Sequence, residues 1–103
     1  MHPVKRIEII ANSFELAKIL DGLKQGGTSG HVVIRNVAGQ GFRGDSEDLD
    51  MTMLDNVYVI AVCAPENLKP VVEAIRPVLN KFGGTCYISD AMEIRSMKCV
   101  ASL

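Results

Sequence analysis

Hydrophobic and polar side chains alternate along residues 4–11, where Ile7 and Ile9 face one side and Arg6 and Glu8 face the other. A period of two residues is typical of a β-strand with one buried face. The sequence therefore predicts a first strand over residues 4–11.

A helical pattern follows this strand. Asn12 and Glu15 have the spacing of a capping box, in which the two side chains bond to backbone N–H groups at the start of a helix. The glycine pair Gly26-Gly27 ends the pattern. Between these points hydrophobic residues recur at helical spacing, at Leu16, Ile19, Leu20 and Leu23.

Two further strands joined by a long loop are predicted in the middle of the chain. The second strand runs from His31 to Ala38, the loop from Gly39 to about Asn56, and the third strand over residues 57–63. This third strand is apolar on both sides, with one set at Val57, Val59, Ala61 and Cys63 and the other at Tyr58, Ile60 and Val62. Such a strand is buried on both faces.

A second helix is predicted from Pro65. Pro70 fits its first turn, where the missing N–H does no harm, whereas Pro77 predicts a kink or an early end. The helix has its hydrophobic positions at Leu68, Val71, Val72, Ile75 and Leu79.

The last segment begins at Gly83-Gly84, which breaks the helix. A fourth strand is predicted from Thr85 to Ser89, and the tail from Asp90 onward holds one helical turn and a short extra strand. The order β-α-β-β-α-β predicts a ferredoxin-like α+β fold with an antiparallel sheet. Because the third strand is apolar on both sides, the face opposite the helices must also be covered, and further copies of the chain are the simplest cover.

Composition narrows the class of protein. The 103 residues are 48% hydrophobic and 22% charged, which predicts one folded domain over residues 1–103. A net charge of -1 argues against a nucleic-acid binder, which needs a basic footprint. No apolar run approaches the roughly 20 residues of a membrane span, and no signal-peptide core follows the N-terminus. We therefore expect a cytoplasmic protein without membrane insertion.

The three cysteines, Cys63, Cys86 and Cys99, are widely spaced and form no C-x-x-C pair. A zinc site or a thioredoxin-like motif is therefore not indicated. Cys63 and Cys86 fall inside apolar strand patterns, which predicts core positions. Cys99 lies in the tail, where a regulatory thiol is an open alternative.

A glycine-rich segment from Val37 to Gly44 leaves the second strand. Its glycines, among them Gly39 and Gly41, free backbone N–H groups, and Arg43 can hold an anion bidentately. An acidic stretch without bases follows, with Asp45, Glu47, Asp48, Asp50 and Asp55. The segment predicts a phosphate cradle with an acidic arm, and a hairpin with a long solvated loop is the alternative.

Other cations could join this cradle, namely Lys81 before the second glycine turn and Arg95 and Lys98 in the tail. The first glycine loop leaves the second strand and Gly83-Gly84 enters the fourth. In the predicted topology these strands lie on opposite edges of the sheet. A phosphate site that uses both turns is therefore easier to build between neighbouring subunits.

Catalysis finds little support in the residues. No serine stands in a nucleophile elbow, and His2 and His31 are far apart. Residues 39–43 are similar to the phosphate loop of acylphosphatases, but that loop follows the first strand in those enzymes and the second strand here. The sequence predicts a protein that is not an enzyme and needs no cofactor.

The chain resembles the PII signalling superfamily over most of its length. Residues 5–10 are similar to the opening strand, residues 37–44 to the base of the family's long T-loop, residues 65–79 to its second helix, and residues 83–85 to its B-loop. The pattern Gly-x-Gly-x-Arg-Gly from Gly39 to Gly44 is similar to PII-like proteins of inorganic-carbon uptake, associated with bicarbonate transporters or carboxysomes.

The resemblance implies a trimer that binds an adenine nucleotide in each of three clefts between subunits. A flexible T-loop, about residues 41–56, would signal to a protein partner, a transporter or carboxysome component, and the tail would span about residues 91–103. Bicarbonate is a second ligand in the carbon-related branch. Carried onto this chain, the nucleotide-binding residues are Gly39, Gly41, Arg43, Val62 through its backbone, Gly83, Gly84, Thr85 and, from a neighbouring subunit, Arg95.

Departures from the family pattern refine this hypothesis. The tyrosine that is uridylylated in the T-loop is absent, as is a clear match to the glutamine that helps to bind magnesium and 2-oxoglutarate. A C-terminal arginine pair is reduced to Arg95, which favours ADP or AMP over ATP.

Two alternative functions remain open. One is a metal-binding trimer related to efflux-associated PII-like or copper-tolerance proteins, with the acids at 45–55 and the cysteines as its site. The other is a purely structural trimer.

Overall fold

The computed structural model describes residues 1–38 and 55–96. The chain forms β1 (His2–Asn12), a 3-10 turn (Ser13–Glu15), α1 (Leu16–Gly26), β2 (His31–Arg35), β3 (Asn56–Cys63), a second 3-10 turn (Pro65–Asn67), α2 (Leu68–Phe82) and β4 (Thr85–Glu93). All strand pairs are antiparallel and the sheet order is β2-β3-β1-β4. The predicted ferredoxin-like α+β fold is confirmed.

The second strand is shorter than predicted. β2 ends at Arg35, three residues before the expected end at Ala38. Asn36 follows with φ 60, a left-handed conformation that asparagine tolerates and that takes the chain out of the extended strand. Val37 then donates its backbone N–H to Asn56 O at 3.1 Å, which holds the two ends of the loop together.

The fourth strand is longer than predicted. β4 continues past Ser89 to Glu93, because β1 begins at His2 and pairs with it along this whole length. The helical turn expected from Asp90 onward is wrong for residues 90–96, where the chain is strand and then irregular.

Of the two alternatives predicted at Pro77, the early end is wrong, because α2 runs on to Phe82, while the kink stays a prediction. Proline removes one backbone hydrogen bond, but burial of a helical face outweighs that loss. Val71 and Ile75 are buried, and Val78 and Leu79 beyond the proline still pack against the core.

Both helices cover one face of the sheet. The core between them contains Ile7, Ile9 and Ala11 of β1, Val57, Val59, Ala61 and Cys63 of β3, Leu16, Ile19 and Leu23 of α1, and Val71 and Ile75 of α2. The core positions on the strands recur every two residues, and those on the helices recur at helical spacing, as the sequence predicts. The predicted burial of Cys63 is confirmed, and Cys86 is half-buried at the margin of this core.

The opposite face of the sheet carries the alternate residues, and we call it the open face. Its apolar part continues onto β2, where Val32 is 58% and Ile34 is 46% exposed. Exposed apolar area of this kind marks an interaction surface. The open face consists of Arg6, Glu8, Ile10, Val32, Ile34, Tyr58, Ile60 and Val62, together with Thr85, Tyr87 and Ser89 of β4.

Candidate functional site

The base of the long loop lies at one end of the sheet. β2 ends there at Arg35, paired with Val57, and β3 begins there at Asn56. Three of the predicted ligands, Gly39, Gly41 and Arg43, lie outside the described residues, so their roles stay predictions.

The second glycine turn joins α2 to β4. Gly83 caps the helix with φ 86 and donates its N–H to Leu79 O at 2.9 Å. Gly84 has φ 122, and a Cβ atom there would lie 3.0 Å from Ile10 O. Both positions therefore require glycine, Gly83 for its left-handed backbone and Gly84 also for its close approach to β1. Thr85 follows as the first residue of β4.

The loop base and the Gly83-Gly84 turn lie at the same end of the sheet but on opposite edges. Thr85 pairs with Ile10, Ile10 with Tyr58, and Tyr58 with Ile34, so one row of residues connects the glycine turn to the loop base. Three strand spacings separate the two edges, a distance of about 14 Å. Strands β1 and β3 lie between them. The structure thus confirms that β2, which leads into the long loop, and β4, which follows the glycine turn, are opposite edge strands of one protomer.

Val62 lies near the other end of the β2 edge. Its carbonyl accepts a hydrogen bond from Ser29 N at 3.1 Å, so the segment before β2 packs on the backbone of β3. From His31 to Arg35, β2 extends about 13 Å along this edge. Val62 and the loop base are therefore the two ends of one continuous edge.

The sequence did not single out the segment around Ser29. A groove of about 540 Å³ runs beside it, between α1 and the start of β2, with polar groups on its walls. The Thr28 hydroxyl donates to Leu23 O at 3.1 Å, which fixes this segment against the end of α1. Ser29 and Val62 are 33 residues apart in the sequence, so no local pattern could predict their contact. The hydrogen bond between them in the folded chain places the Ser29 segment beside β3. The groove is lined by Leu20, Asp21, Lys24, Thr28, Ser29 and His31, with Ala17 and Gly30.

Arg95 is not brought to the other candidate residues within one protomer. It follows the far end of β4, about 26 Å along the strand from Thr85. Its Nε donates to Glu93 Oε1 at 2.7 Å and its side chain is largely exposed. Any shared site of Arg95 and the glycine turn would need a neighbouring subunit.

A cationic group missed by the sequence analysis lies beside the glycine turn. The ammonium of Lys18, at the start of α1, is 4.0 Å from the centroid of the Phe82 ring. The ammonium of Lys81 is 5.3 Å from the same centroid. The sequence identified Lys81 by its place before Gly83, but nothing local indicated Lys18.

Polar groups also cross the open face. The Tyr58 hydroxyl donates to the Glu8 carboxylate, and Arg6 Nε lies 3.1 Å from Glu8 Oε1. The hydrogen bond to Glu8 raises the pKa of Tyr58 above its usual value. Burial and the negative charge of Glu8 act in the same direction, while Arg6 opposes them.

The cysteines of the described chain are poorly suited to nucleophilic or redox chemistry. Burial raises the pKa of the Cys86 thiol, and burial together with the nearby Glu66 raises that of Cys63. Cys99 lies outside the described residues.

A metal site is not found within residues 1–38 and 55–96, where no three His, Cys, Asp or Glu side chains are grouped closely enough to hold an ion. The acids from Asp45 to Asp50 lie outside those ranges, so the metal-binding alternative stays a prediction. In the same ranges, no helix has the length and apolar composition needed to cross a bilayer.

Solved structures of PII-like proteins are similar to this chain. CPII from Thiomonas intermedia K12, bound to ADP and bicarbonate, has a TM-score of 0.76 and 26% identity over 91% of each chain. The same protein bound to ADP, AMP and bicarbonate has a TM-score of 0.74 and 21% identity over 91% of each chain. Its apo form has a TM-score of 0.74 and 21% identity over 92% of this chain and 96% of that chain.

No curated protein sequence matches this chain significantly. The family model of nitrogen regulatory protein P-II, however, matches residues 4–98, which include every element of the fold except the first residues of β1. Together with the confirmed β-α-β-β-α-β topology, this match shows that the chain belongs to the P-II family of nitrogen regulatory proteins.

Proposed function

We propose that this protein is a non-enzymatic PII-like regulator that binds an adenine nucleotide, ADP or AMP in preference to ATP, in the clefts of a homotrimer. The observation that carries the proposal is the position of the base of the long loop relative to the Gly83-Gly84 turn. They lie at the same end of the sheet but about 14 Å apart, with two strands between them. One nucleotide can contact both only where the β2 edge of one subunit faces the β4 edge of another.

The open face supplies the driving force for assembly. Val32, Ile34, Ile60 and Val62 form an apolar surface on the side of the sheet that no helix of the protomer covers. Burying it between copies of the chain would remove this area from water and bring edges of different subunits together. Trimer formation and nucleotide binding are thus parts of one proposal.

The two ends of the β2 edge suggest how the nucleotide is oriented along it. The Val62 backbone and Ser29 lie at one end, and the loop base at Val57 lies about 17 Å away at the other. We place the adenine beside Val62 and the phosphates toward Gly39, Gly41 and Arg43. Gly83, Gly84 and Thr85 contact the phosphates from the β4 edge, and Arg95 approaches from a neighbouring subunit.

The ligands of CPII support the choice of adenylates. Those structures hold ADP, AMP and bicarbonate, and the complex with ADP and bicarbonate is 26% identical to this chain. We therefore propose bicarbonate as a second ligand. The loop at about residues 41–56 would change its conformation with the ligand and report to a protein partner, a transporter or carboxysome component, because a ligand shifts two loop states only by its difference in affinity for them.

Isothermal titration of the full chain with AMP, ADP, ATP and bicarbonate, with the mass measured by light scattering, tests the proposal. We expect a trimer that binds ADP and AMP, binds ATP more weakly, and hydrolyses neither ATP nor ADP. Arg43→Gln should weaken adenylate binding about tenfold, because it removes a charge-assisted phosphate contact. The matched control is Lys69→Gln, an exposed cation near the start of α2. A monomer, or a trimer that binds none of the adenylates, would end the proposal.

A further inference from the structure

The aromatic ring of Phe82 holds two ammonium groups from different helices. Lys18 belongs to the first turn of α1 and lies 4.0 Å from the ring centroid, while Lys81 belongs to the last turn of α2 and lies 5.3 Å away. A cation at this distance from an aromatic face is attracted by its negative quadrupole. The ring therefore fixes the position of two long, otherwise flexible side chains.

This pair stands directly beside the second glycine turn. Phe82 is the last residue of α2, and Gly83 follows it with a left-handed backbone. Gly84 packs on the end of β1, next to the point where the chain turns toward α1. The two ammonium groups and the glycine turn thus share the end of the sheet at which the long loop also begins.

The charge of this cluster is not balanced. Glu15 Oε2 lies 3.7 Å from Lys18 Nζ, while no carboxylate of the described residues lies within ion-pair distance of Lys81. The field at a helix C-terminus favours Lys81, and an i,i+3 pair favours Lys18. Neither effect accounts for the placement of both charges on one ring, where they repel each other. Two cations with one neighbouring carboxylate, that of Glu15 beside Lys18, leave a net positive site that an anion would stabilise.

We infer that Lys18 and Lys81 form a cationic clamp for the β-phosphate of bound ADP, and that this clamp raises the affinity for ADP above that for AMP. The inference rests on the proposed nucleotide function. Because the Gly83 N–H is already bonded to Leu79 O, the first phosphate contacts the turn at the backbone of Gly84, and the clamp lies beyond it. ADP reaches the clamp with its β-phosphate, whereas AMP ends at the turn.

Titration of ADP and AMP into the wild-type trimer, Lys18→Gln, Lys81→Gln and the double variant tests the clamp. We expect each single change to weaken ADP binding about fivefold and the double change to weaken it more, with AMP affinity altered less than about twofold. The ADP affinity of the variants should also fall less steeply with added salt, because fewer charges are screened. Lys69→Gln, at the exposed start of α2, is the matched control and should change neither affinity.

A further variant tests whether the Phe82 ring, and not only the two lysine charges, contributes to ADP binding. Phe82→Leu keeps both lysines but removes the ring, so we expect it to weaken ADP more than AMP, by less than the double lysine change. Thermal melting of each variant checks that the fold is kept. If the wild-type chain binds ADP but the lysine variants lose ADP and AMP equally, or lose neither, the clamp is wrong while the nucleotide function stands. If the wild-type chain binds no adenylate, both fall together.

Discussion

The hydroxyl of Tyr58 donates a hydrogen bond to the carboxylate of Glu8 across neighbouring strands of the open face. Arg6 lies beside the same carboxylate, with Nε 3.1 Å from Oε1. In the proposed trimer this group would be covered by other subunits. A carboxylate can be covered without large loss only when both of its partners remain.

The first prediction concerns alkaline pH. Because the folded chain raises the pKa of Tyr58, the resulting stability is present below the unfolded value of about 10 and is lost as pH rises through the higher folded value. Above about pH 10, the free energy of unfolding of Tyr58→Phe should therefore fall less steeply with pH than that of the wild-type chain. Urea unfolding at a series of pH values measures this, and Tyr87→Phe is the control. An unchanged pH profile in Tyr58→Phe would contradict the prediction.

The second prediction concerns assembly through the open face. Val32→Lys and Ile34→Lys place charges on exposed apolar positions of this face, so they should leave the protomer folded and dissociate the trimer. Light scattering should then give a mass near that of one 11.2 kDa chain. Glu73→Lys on the outer side of α2 is the control and should remain trimeric. A lysine variant that stays trimeric would rule out this face as the interface.

A third prediction compares the two adjacent glycines of the turn. A Cβ atom at Gly83 would meet no neighbour within 4 Å, so Gly83→Ala should cost only backbone strain, about 1 kcal/mol. At Gly84 the Cβ atom would also lie 3.0 Å from Ile10 O and 3.1 Å from Leu79 Cδ2. Gly84→Ala should therefore cost more, about 3 kcal/mol. Denaturant unfolding at a fixed protein concentration compares the two, and equal losses would argue against the close contact with β1.

A fourth prediction tests the packing of the two helices. A Cβ atom at Gly26 would lie 2.6 Å from both Cα and Cγ2 of Val71, which leaves no room for a methyl group. Gly26→Ala should push α1 and α2 apart and destabilise the protein by about 2 kcal/mol. The neighbouring exposed Gln25→Ala is the control and should be nearly neutral. A stable Gly26→Ala protein would show that the helices can separate at little cost.

Local patterns of hydrophobic and polar residues were enough to predict the type and order of the elements. Alternation around Ile7 and helical spacing around Ile19 are local patterns, and the side of each residue that meets the core follows from them directly. The apolar residues on both sides of β3 indicated the open face in the same way. Gly83 and Gly84 were found because a left-handed backbone limits the residue type.

The lengths of the strands and the members of the candidate site, in contrast, depend on contacts between elements that are distant in the sequence. β4 extends to Glu93 because β1 lies beside it, and α2 passes Pro77 because its buried face continues beyond the proline. Lys18 meets Phe82, and Ser29 meets Val62, across separations that no local pattern records. Contacts of this kind depend on how helices and strands pack, since the local pattern around one partner does not indicate the other.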